Sequence, residues 1–256
     1  MATPSRLTVV RTACRAFDEQ SPLAKEPGLR AYLADMIAPF GVALDEEPIT
    51  GHSHGDMADP LIDALDLRDP VDVLVLAQRM HDVRPGRATA TYLSSRCPGE
   101  PLAFAVCDQG TATPFTALRL LDGYARGGAC ARAVLLVVEQ AGLPYPLVSP
   151  APLPSRHTAV GLLLESRPSA GITVRQRVGV SAAAVSDEIA SLCADRPDAV
   201  VLRGPSAELP LTGLWWELAA GLSDWAGRRV VLADYDPVAR LLSVAAIDVG
   251  HSQEEG

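Results

Sequence analysis

The chain has 256 residues, of which 48% are apolar, and it carries a formal net charge of −9. This composition excludes global disorder, and the length is enough for one large α/β domain or two fused halves. The 22 basic residues are scattered, so we predict no nucleic-acid partner. No apolar run approaches the ~20 residues of a membrane helix, so no membrane partner is predicted. The five cysteines form no CxxC pair, which is typical of free thiols and indicates a cytoplasmic protein.

Alternating strands and helices are predicted in the first 141 residues. The predicted strands are Leu7–Cys14, Val71–Ala77, Leu102–Cys107 and Ala131–Val138. The predicted helices are Gly28–Phe40, Pro60–Leu67, Ala88–Arg96 and Thr113–Gly127. Continuous apolar runs in the last three strands are typical of strands buried on both faces of a parallel sheet.

A proline-rich stretch follows this block and predicts a boundary. Five prolines within Gly142–Ser155 prevent a helix and favour an extended chain. We therefore predict an N-terminal half at 1–141, a linker at 142–157, a C-terminal half at 158–250 and a disordered tail at 251–256.

The second half again alternates strands with helices. Its predicted strands are Thr158–Glu165, Ile172–Val180, Ala199–Leu202, Arg229–Ala233 and Leu241–Ile247. Its predicted helices are Val185–Ala194 and Thr212–Ala226. This alternation implies crossover connections and a mostly parallel sheet, hence the α/β class.

Three segments together resemble one known family. Pro101–Gln140 combines a buried strand, a sharp glycine-containing turn, a long helix that ends in glycines and a second buried strand. The strand VDVLVLA precedes this unit, and Gly227–Val249 closes the chain as a hairpin. In this order the segments resemble the thiolase-like superfamily and, within it, ketosynthase III enzymes. The resemblance implies a layered α-β-α-β-α fold of two pseudo-repeated halves, shortened here mostly in the first half and in the region that caps the acyl pocket.

The residues at the family's catalytic positions differ from those of a ketosynthase. The nucleophilic cysteine falls at Gly110 or Thr111, and Cys107 lies three or four residues too early. The histidine position falls at or beside Arg203, and the asparagine position falls in Thr212–Gly213, in a chain without any asparagine. A condensing enzyme needs a thiolate to hold the acyl group and donors for the enolate and oxyanion. We therefore predict no conventional cysteine-dependent ketosynthase activity.

Three interpretations remain open. In the first, the chain is a degenerate subunit of polyketide or related secondary-metabolite biosynthesis. It pairs with a Cys-bearing ketosynthase in a heterodimer or heterotetramer, and it shapes the acyl pocket or recruits an acyl carrier protein or acyl-CoA. The resemblance implies pairing edge to edge through the strand after the elbow helix, with LAFAVC and that helix keeping the interface. In another interpretation, placed third, the chain is a binding module that holds an acyl chain and catalyses no reaction.

The second interpretation is a repurposed enzyme, an acyltransferase, thioester hydrolase or cyclase that uses other residues. Thr111 is then a hydroxyl nucleophile on a polar elbow that includes Asp108. His81 and His157 are the candidate bases. Alternatively, Thr111 caps the long helix that begins at this point.

A few further side chains are candidates for binding. Trp215 and Trp216 pack against the sheet, or one of them lines an acyl tunnel or a dimer seam. Arg203 contacts a phosphopantetheine phosphate or a carboxylate, or it is a surface arginine after a strand. His52 and His54, in the segment GHSHGD, have the spacing of metal ligands, but no second ligand pair accompanies them and a solvated loop is predicted. We therefore predict no metal site and no cofactor.

Overall fold

The structure is a computed structural model, and it describes residues 6–19, 21, 23, 26–45, 51–84, 86–146, 152–167, 171–194, 196 and 198–249. The predicted tail at 251–256 and the linker residues 147–151 lie outside the described residues. Among the described residues, no helix combines the length and the apolarity that crossing a bilayer requires.

In the part of the chain that the structure describes, the first sheet contains five strands in the order β1-β5-β4-β2-β3. Their bounds are β1 (Arg6–Phe17), β2 (Val73–Gln78), β3 (Leu102–Val106), β4 (Arg132–Glu139) and β5 (His157–Arg167). β2 runs parallel to both β3 and β4, whereas β5 runs antiparallel to β4 and β1. The apolar runs of β2 and β4 form the centre of this sheet, where both faces are covered.

The second sheet contains four strands among the described residues, in the order β6-β9-β8-β7. Their bounds are β6 (Ile172–Val178), β7 (Val200–Gly204), β8 (Arg229–Asp236) and β9 (Leu241–Asp248). β7 and β8 are parallel, and β9 is antiparallel to β8 and β6. This arrangement repeats the order and directions of β1, β5, β4 and β2, which confirms the predicted pseudo-repeat and the closing hairpin.

Six α-helices in the described part of the chain surround and separate the sheets. Their bounds are α1 (Pro27–Ile37), α2 (His54–Ala64), α3 (Thr89–Ser94), α4 (Thr113–Arg126), α5 (Val185–Cys193) and α6 (Gly213–Gly221). α4 and α6 lie between the two sheets, in one apolar cluster with a face of each. α2 and α3 cover the other face of the first sheet, and α5 covers the other face of the second. The layers are therefore α-β-α-β-α, as predicted.

The central helical layer is held by large aromatic side chains. Phe115 of α4 and Trp215 of α6 are fully buried, and their rings meet edge to face with centroids 5.2 Å apart. Burying a large apolar side chain of this kind stabilises the fold by roughly 1.5–3 kcal/mol. This contact fixes α4 and α6 against each other, and both helices begin at the end of the sheets where the candidate site lies.

The predicted boundary between the halves is misplaced. The strand assigned to the start of the second half, β5, pairs with β1 and β4 in the first sheet. The proline-rich segment therefore joins two neighbouring strands of one sheet, and the halves meet after β5. Antiparallel neighbours need only a loop between them.

Among the described residues, the second half has one strand fewer than the first, whereas we predicted the shortening mostly in the first half. β3 has no counterpart there, because β7 ends at Gly204 and α6 begins at Gly213, and the intervening residues 205–212, all of them described, contain no strand. α2 was also mispredicted, since it begins at His54 with Ser53 as its N-cap rather than at Pro60. The segment GHSHGD is thus a helix start and not a solvated loop.

Candidate functional site

The turn after β3 has the sharp geometry that the sequence predicts. We call residues Cys107–Ala112 the elbow. Asp108 and Gly110 both adopt left-handed backbone conformations, with φ of 62° and 55°. Glycine takes this conformation at little cost, and aspartate is among the side chains that tolerate it. A 3₁₀ turn at Gly110–Ala112 then leads directly into α4, which places Thr111 at the carboxyl end of the first sheet.

Thr111 is hydrogen-bonded to a buried carboxylate of the second half. Its hydroxyl donates to Oδ1 of Asp234 on β8 at 2.5 Å, and Asp234 is only 4% exposed. In the sheet register Asp234 lies between Gly204 of β7 and Ser243 of β9. Burial raises the pKa of Asp234 to about 6, with a further increase from the nearby Asp236 carboxylate, although the hydrogen bond from Thr111 acts in the opposite direction.

A second group of hydrogen bonds fixes the elbow to β6. The Thr116 hydroxyl donates to Oε1 of Gln109 at 2.5 Å, and Nε2 of Gln176 donates to the Thr116 hydroxyl at 3.1 Å. Gln176 also reaches the backbone carbonyl of Ala112 at 3.5 Å. The elbow is therefore held by both halves, and the position of Thr111 does not depend on a single contact.

Neither predicted base is brought to Thr111. His81 is exposed and forms a hydrogen bond with Tyr145, against whose ring it stacks at 5.9 Å. Nδ1 of His157 accepts a hydrogen bond from the Ala141 N–H at 3.0 Å. Burial, together with the neighbouring His52, lowers the pKa of His157 to about 4, so this ring is neutral.

The carboxylate that does contact Thr111 was missed in the sequence. The signal was present, because the turn ADYDPVAR places Asp234 and Asp236 at the end of β8.

The contact that the structure shows for the elbow cysteine does not activate it. Cys107 is exposed, and its thiol donates to Oδ2 of Asp108 at 3.3 Å. That hydrogen bond, followed by partial burial and the charge of Asp108, raises the pKa of the Cys107 thiol. A thiol whose pKa is raised is a weaker nucleophile at neutral pH. Asp108 therefore accepts from Cys107, whereas Thr111 donates to Asp234.

The residue at the family's asparagine position has a structural role. Thr212 is fully buried, and its N–H and hydroxyl both donate to Oε2 of Glu139 at 2.9 Å. The Leu211 N–H donates to the other carboxylate oxygen at 2.8 Å, and Thr158 meets the Thr212 hydroxyl at 2.6 Å. This carboxylate binds the N–H groups that precede α6, a favourable position for negative charge. The Thr212 hydroxyl is therefore occupied and cannot serve a substrate.

Arg203 lies at the histidine position but faces away from the elbow. Side chains alternate along a strand, and Leu202 packs into the central layer. Arg203 is exposed on the opposite face, where its register partner Ala233 packs in the cluster that contains α5. Asp234, one residue further on, points back to the central layer and the elbow.

The two tryptophans differ in their surroundings. Trp215 is 1% exposed and belongs to the core contact with Phe115, so it does not line an open tunnel. Trp216 is half-buried, and the Arg156 guanidinium lies 5.7 Å from the centre of its ring. In the described part of the chain, no group of three or more histidine, cysteine or acidic side chains is placed to hold a metal ion.

Comparison with known proteins supports the fold assignment. No protein-family model and no curated protein matches the chain. Similar solved structures include the acyltransferase ChlB3, with 15% identity, coverage of 97% of this chain and 98% of that one, and a TM-score of 0.64. The tetronic acid condensing enzyme AbyA1 has 15% identity, coverage of 94% and 99%, and a TM-score of 0.64. The 3-oxoacyl-(acyl carrier protein) synthase III FabH from Pseudomonas aeruginosa PAO1 has 16% identity, coverage of 96% and 98%, and a TM-score of 0.63. The chain therefore has the fold that these thiolase-like structures share.

Proposed function

We propose that the chain is a catalytically degenerate ketosynthase-like subunit that pairs with a Cys-bearing ketosynthase. Its setting is cytoplasmic polyketide or related secondary-metabolite biosynthesis, and its task is to complete the acyl pocket or to recruit an acyl carrier protein or acyl-CoA. One observation carries the proposal, an exposed apolar surface at the β3 edge of the first sheet. The five free cysteines agree with a reducing compartment.

The exposed surface, called here the edge patch, consists of Leu102, Phe104, Leu120 and Tyr124. Leu102 is 54% exposed and shares a face of β3 with Phe104, whose ring contacts Tyr124 of α4 with centroids 6.2 Å apart. Leu120, one turn earlier on the same face of α4, is also exposed. The patch therefore extends from a strand edge onto the neighbouring helix.

The position of β3 makes this patch suitable for pairing. In the described part of the chain β3 bonds to β2 alone, so its other side presents free N–H and C=O groups. Proteins usually protect such an edge with charges, proline or a bulge, and LAFAV contains no charge and no proline. The predicted pairing strand, the one after the elbow helix, is β4, which lies in the middle of the sheet and has no free edge. We therefore propose β3, together with α4, as the interface.

The chemistry at the elbow supports a non-condensing role. The cysteine position is taken by Gly110 or Thr111, and Thr212, at the asparagine position, already donates to Glu139. Arg203, at the histidine position, faces the other side of the sheet. A Cys-bearing partner supplies the missing thiolate.

Pairing is tested by co-expression with a Cys-bearing ketosynthase encoded beside this chain. We expect a stable complex by light scattering and condensation activity only in the mixture. Leu102→Lys places a charge on the edge patch and should weaken the complex at least about tenfold. The complex would lose the burial of the exposed half of the Leu102 side chain, and the lysine charge would have to be desolvated. Val178→Lys, at an exposed apolar residue of the second sheet, is the matched control and should bind like the wild type.

Two results oppose this role. Full condensation turnover by the isolated chain contradicts degeneracy. Equal affinity of the Leu102→Lys and Val178→Lys variants, or a chain that only self-associates in the presence of the ketosynthase, contradicts pairing through the edge patch.

A second candidate function is acyl transfer, thioester hydrolysis or cyclisation by residues other than cysteine. The hydrogen bond between Thr111 and Asp234 favours it, because the family's cysteine position then carries a hydroxyl beside a carboxylate.

A further inference from the structure

We propose that Thr111 is an acyl-accepting nucleophile and that Asp234 is its general base, so that the elbow accepts an acyl group from a thioester onto oxygen. This inference deepens the second candidate function and does not depend on pairing through the edge patch. It assigns a base from the second half of the chain to a nucleophile from the first.

The geometry is that of a nucleophile and its base. The Thr111 hydroxyl donates to Asp234 at 2.5 Å, within the reach that proton transfer needs. Asp234 is almost fully buried, whereas Thr111 is only half-buried and follows the exposed residues Cys107, Asp108 and Gln109. A thioester therefore approaches the hydroxyl from the exposed side of the elbow while the base is shielded from water.

Burial of Asp234 serves this role. A carboxylate with its ordinary pKa is a weak base toward a hydroxyl, and an increase in pKa brings it closer to the operating range. Burial is the largest cause of the raised pKa of Asp234, and the Asp236 carboxylate adds to it. The flanking strands present Gly204 and Ser243 at this level of the sheet, neither of which carries a charge.

The proposed step is balanced within the site. The Thr111 oxygen attacks the thioester carbonyl carbon, and its proton passes to the Asp234 carboxylate. The carbon–sulfur bond breaks, and the departing thiolate takes that proton to leave as a free thiol. The products are an ester on Thr111 and the ionised carboxylate, and attack by water releases the acyl group as a carboxylic acid.

The test measures acylation of the isolated chain. The protein is incubated with octanoyl-N-acetylcysteamine, intact mass is followed with time, and the adduct is located by peptide mapping. Because Cys107 is exposed and thiols accept acyl groups, the Cys107→Ala variant serves as the background. We expect one acyl group on Thr111 that resists neutral hydroxylamine, as an oxygen ester does, and is cleaved by alkaline hydroxylamine.

Variants of the pair distinguish catalysis from a structural hydrogen bond. In the Cys107→Ala background, Thr111→Ser should still be acylated, whereas Asp234→Asn should be acylated at least about a hundredfold more slowly. Asn keeps an oxygen that accepts from Thr111, so a structural hydrogen bond survives this change. The rate of Thr111 acylation in the Cys107→Ala background should rise with pH as Asp234 loses its proton.

The proposal is overturned if the Cys107→Ala variant in thioester excess shows neither an adduct on Thr111 nor release of octanoic acid. An unchanged rate in Asp234→Asn overturns the role of the base. Leu102→Lys should be acylated like the wild type, so failure of acylation and failure of pairing are separate results.

Discussion

Replacing Asp234 with asparagine should change how stability depends on pH. The folded chain keeps the Asp234 proton up to about pH 6, whereas an aspartate with its ordinary pKa releases it near 3.8. The folded state therefore loses stability relative to the unfolded chain as the pH rises through this window, and above it the penalty stays constant. Asparagine has no proton to lose, so the variant lacks this dependence.

The size of the effect follows from the two pKa values. Between about pH 4.5 and about pH 7.5, the free energy of unfolding of Asp234→Asn minus that of the wild type should increase by about 2 kcal/mol. The Thr111 hydroxyl still finds an acceptor in the variant, which keeps the elbow in place. The difference between the two pH values, and not the value at one pH, is the diagnostic quantity, because it cancels any fixed cost of the amide.

The measurement is urea denaturation followed by tryptophan fluorescence at both pH values, since Trp215 in the central layer reports on packing. Asp224→Asn, at an exposed aspartate, is the control for the loss of a surface carboxylate. A stability difference for Asp234→Asn that is the same at both pH values would refute the reasoning that burial disfavours the ionised form.

Two other substitutions test the fold. Glu139→Gln should destabilise the chain by about 2–3 kcal/mol in thermal or urea unfolding, because an amide group then faces the N–H groups of Leu211 and Thr212; a neutral effect would contradict the assigned capping role. Gly99→Ala should cost at least about 2 kcal/mol, because φ is +89° and the new Cβ would lie 2.8 Å from Pro70. A Cβ added at Gly123 in α4 would meet no atom within 4 Å, so Gly123→Ala should instead stabilise the chain by about 0.5–1 kcal/mol. A loss of stability in both variants would contradict this distinction between the two glycines.

Local patterns in the sequence predict most elements well. β2 and β4 lie within two residues of their predicted bounds because continuous β-branched runs are strong local signals. β5 was also predicted as a strand, but its assignment to a sheet was wrong. An apolar run indicates burial without indicating which neighbour it pairs with, and that choice depends on residues more than a hundred positions away in β1.

The candidate site was predicted only in part for the same reason. Thr111 follows from its place in a strand–turn–helix unit, which is local. Its partner Asp234 is 123 residues away and is brought to it by the packing of two sheets. Likewise β3 carries an apolar sequence typical of a buried strand, and only the strand order reveals that it lies at an edge.

The direct passage from β7 to α6 shows which part of such a sheet is expendable. In the first sheet, β3 and the helix before it form a unit at the margin that no later strand uses as a neighbour. Removal of that unit from the second sheet leaves the remaining ladder of hydrogen bonds and its register unchanged. A deletion at the centre would instead break two ladders at once. A duplicated fold can therefore become asymmetric by the loss of one marginal unit, while the strands that carry the central ladders stay in place.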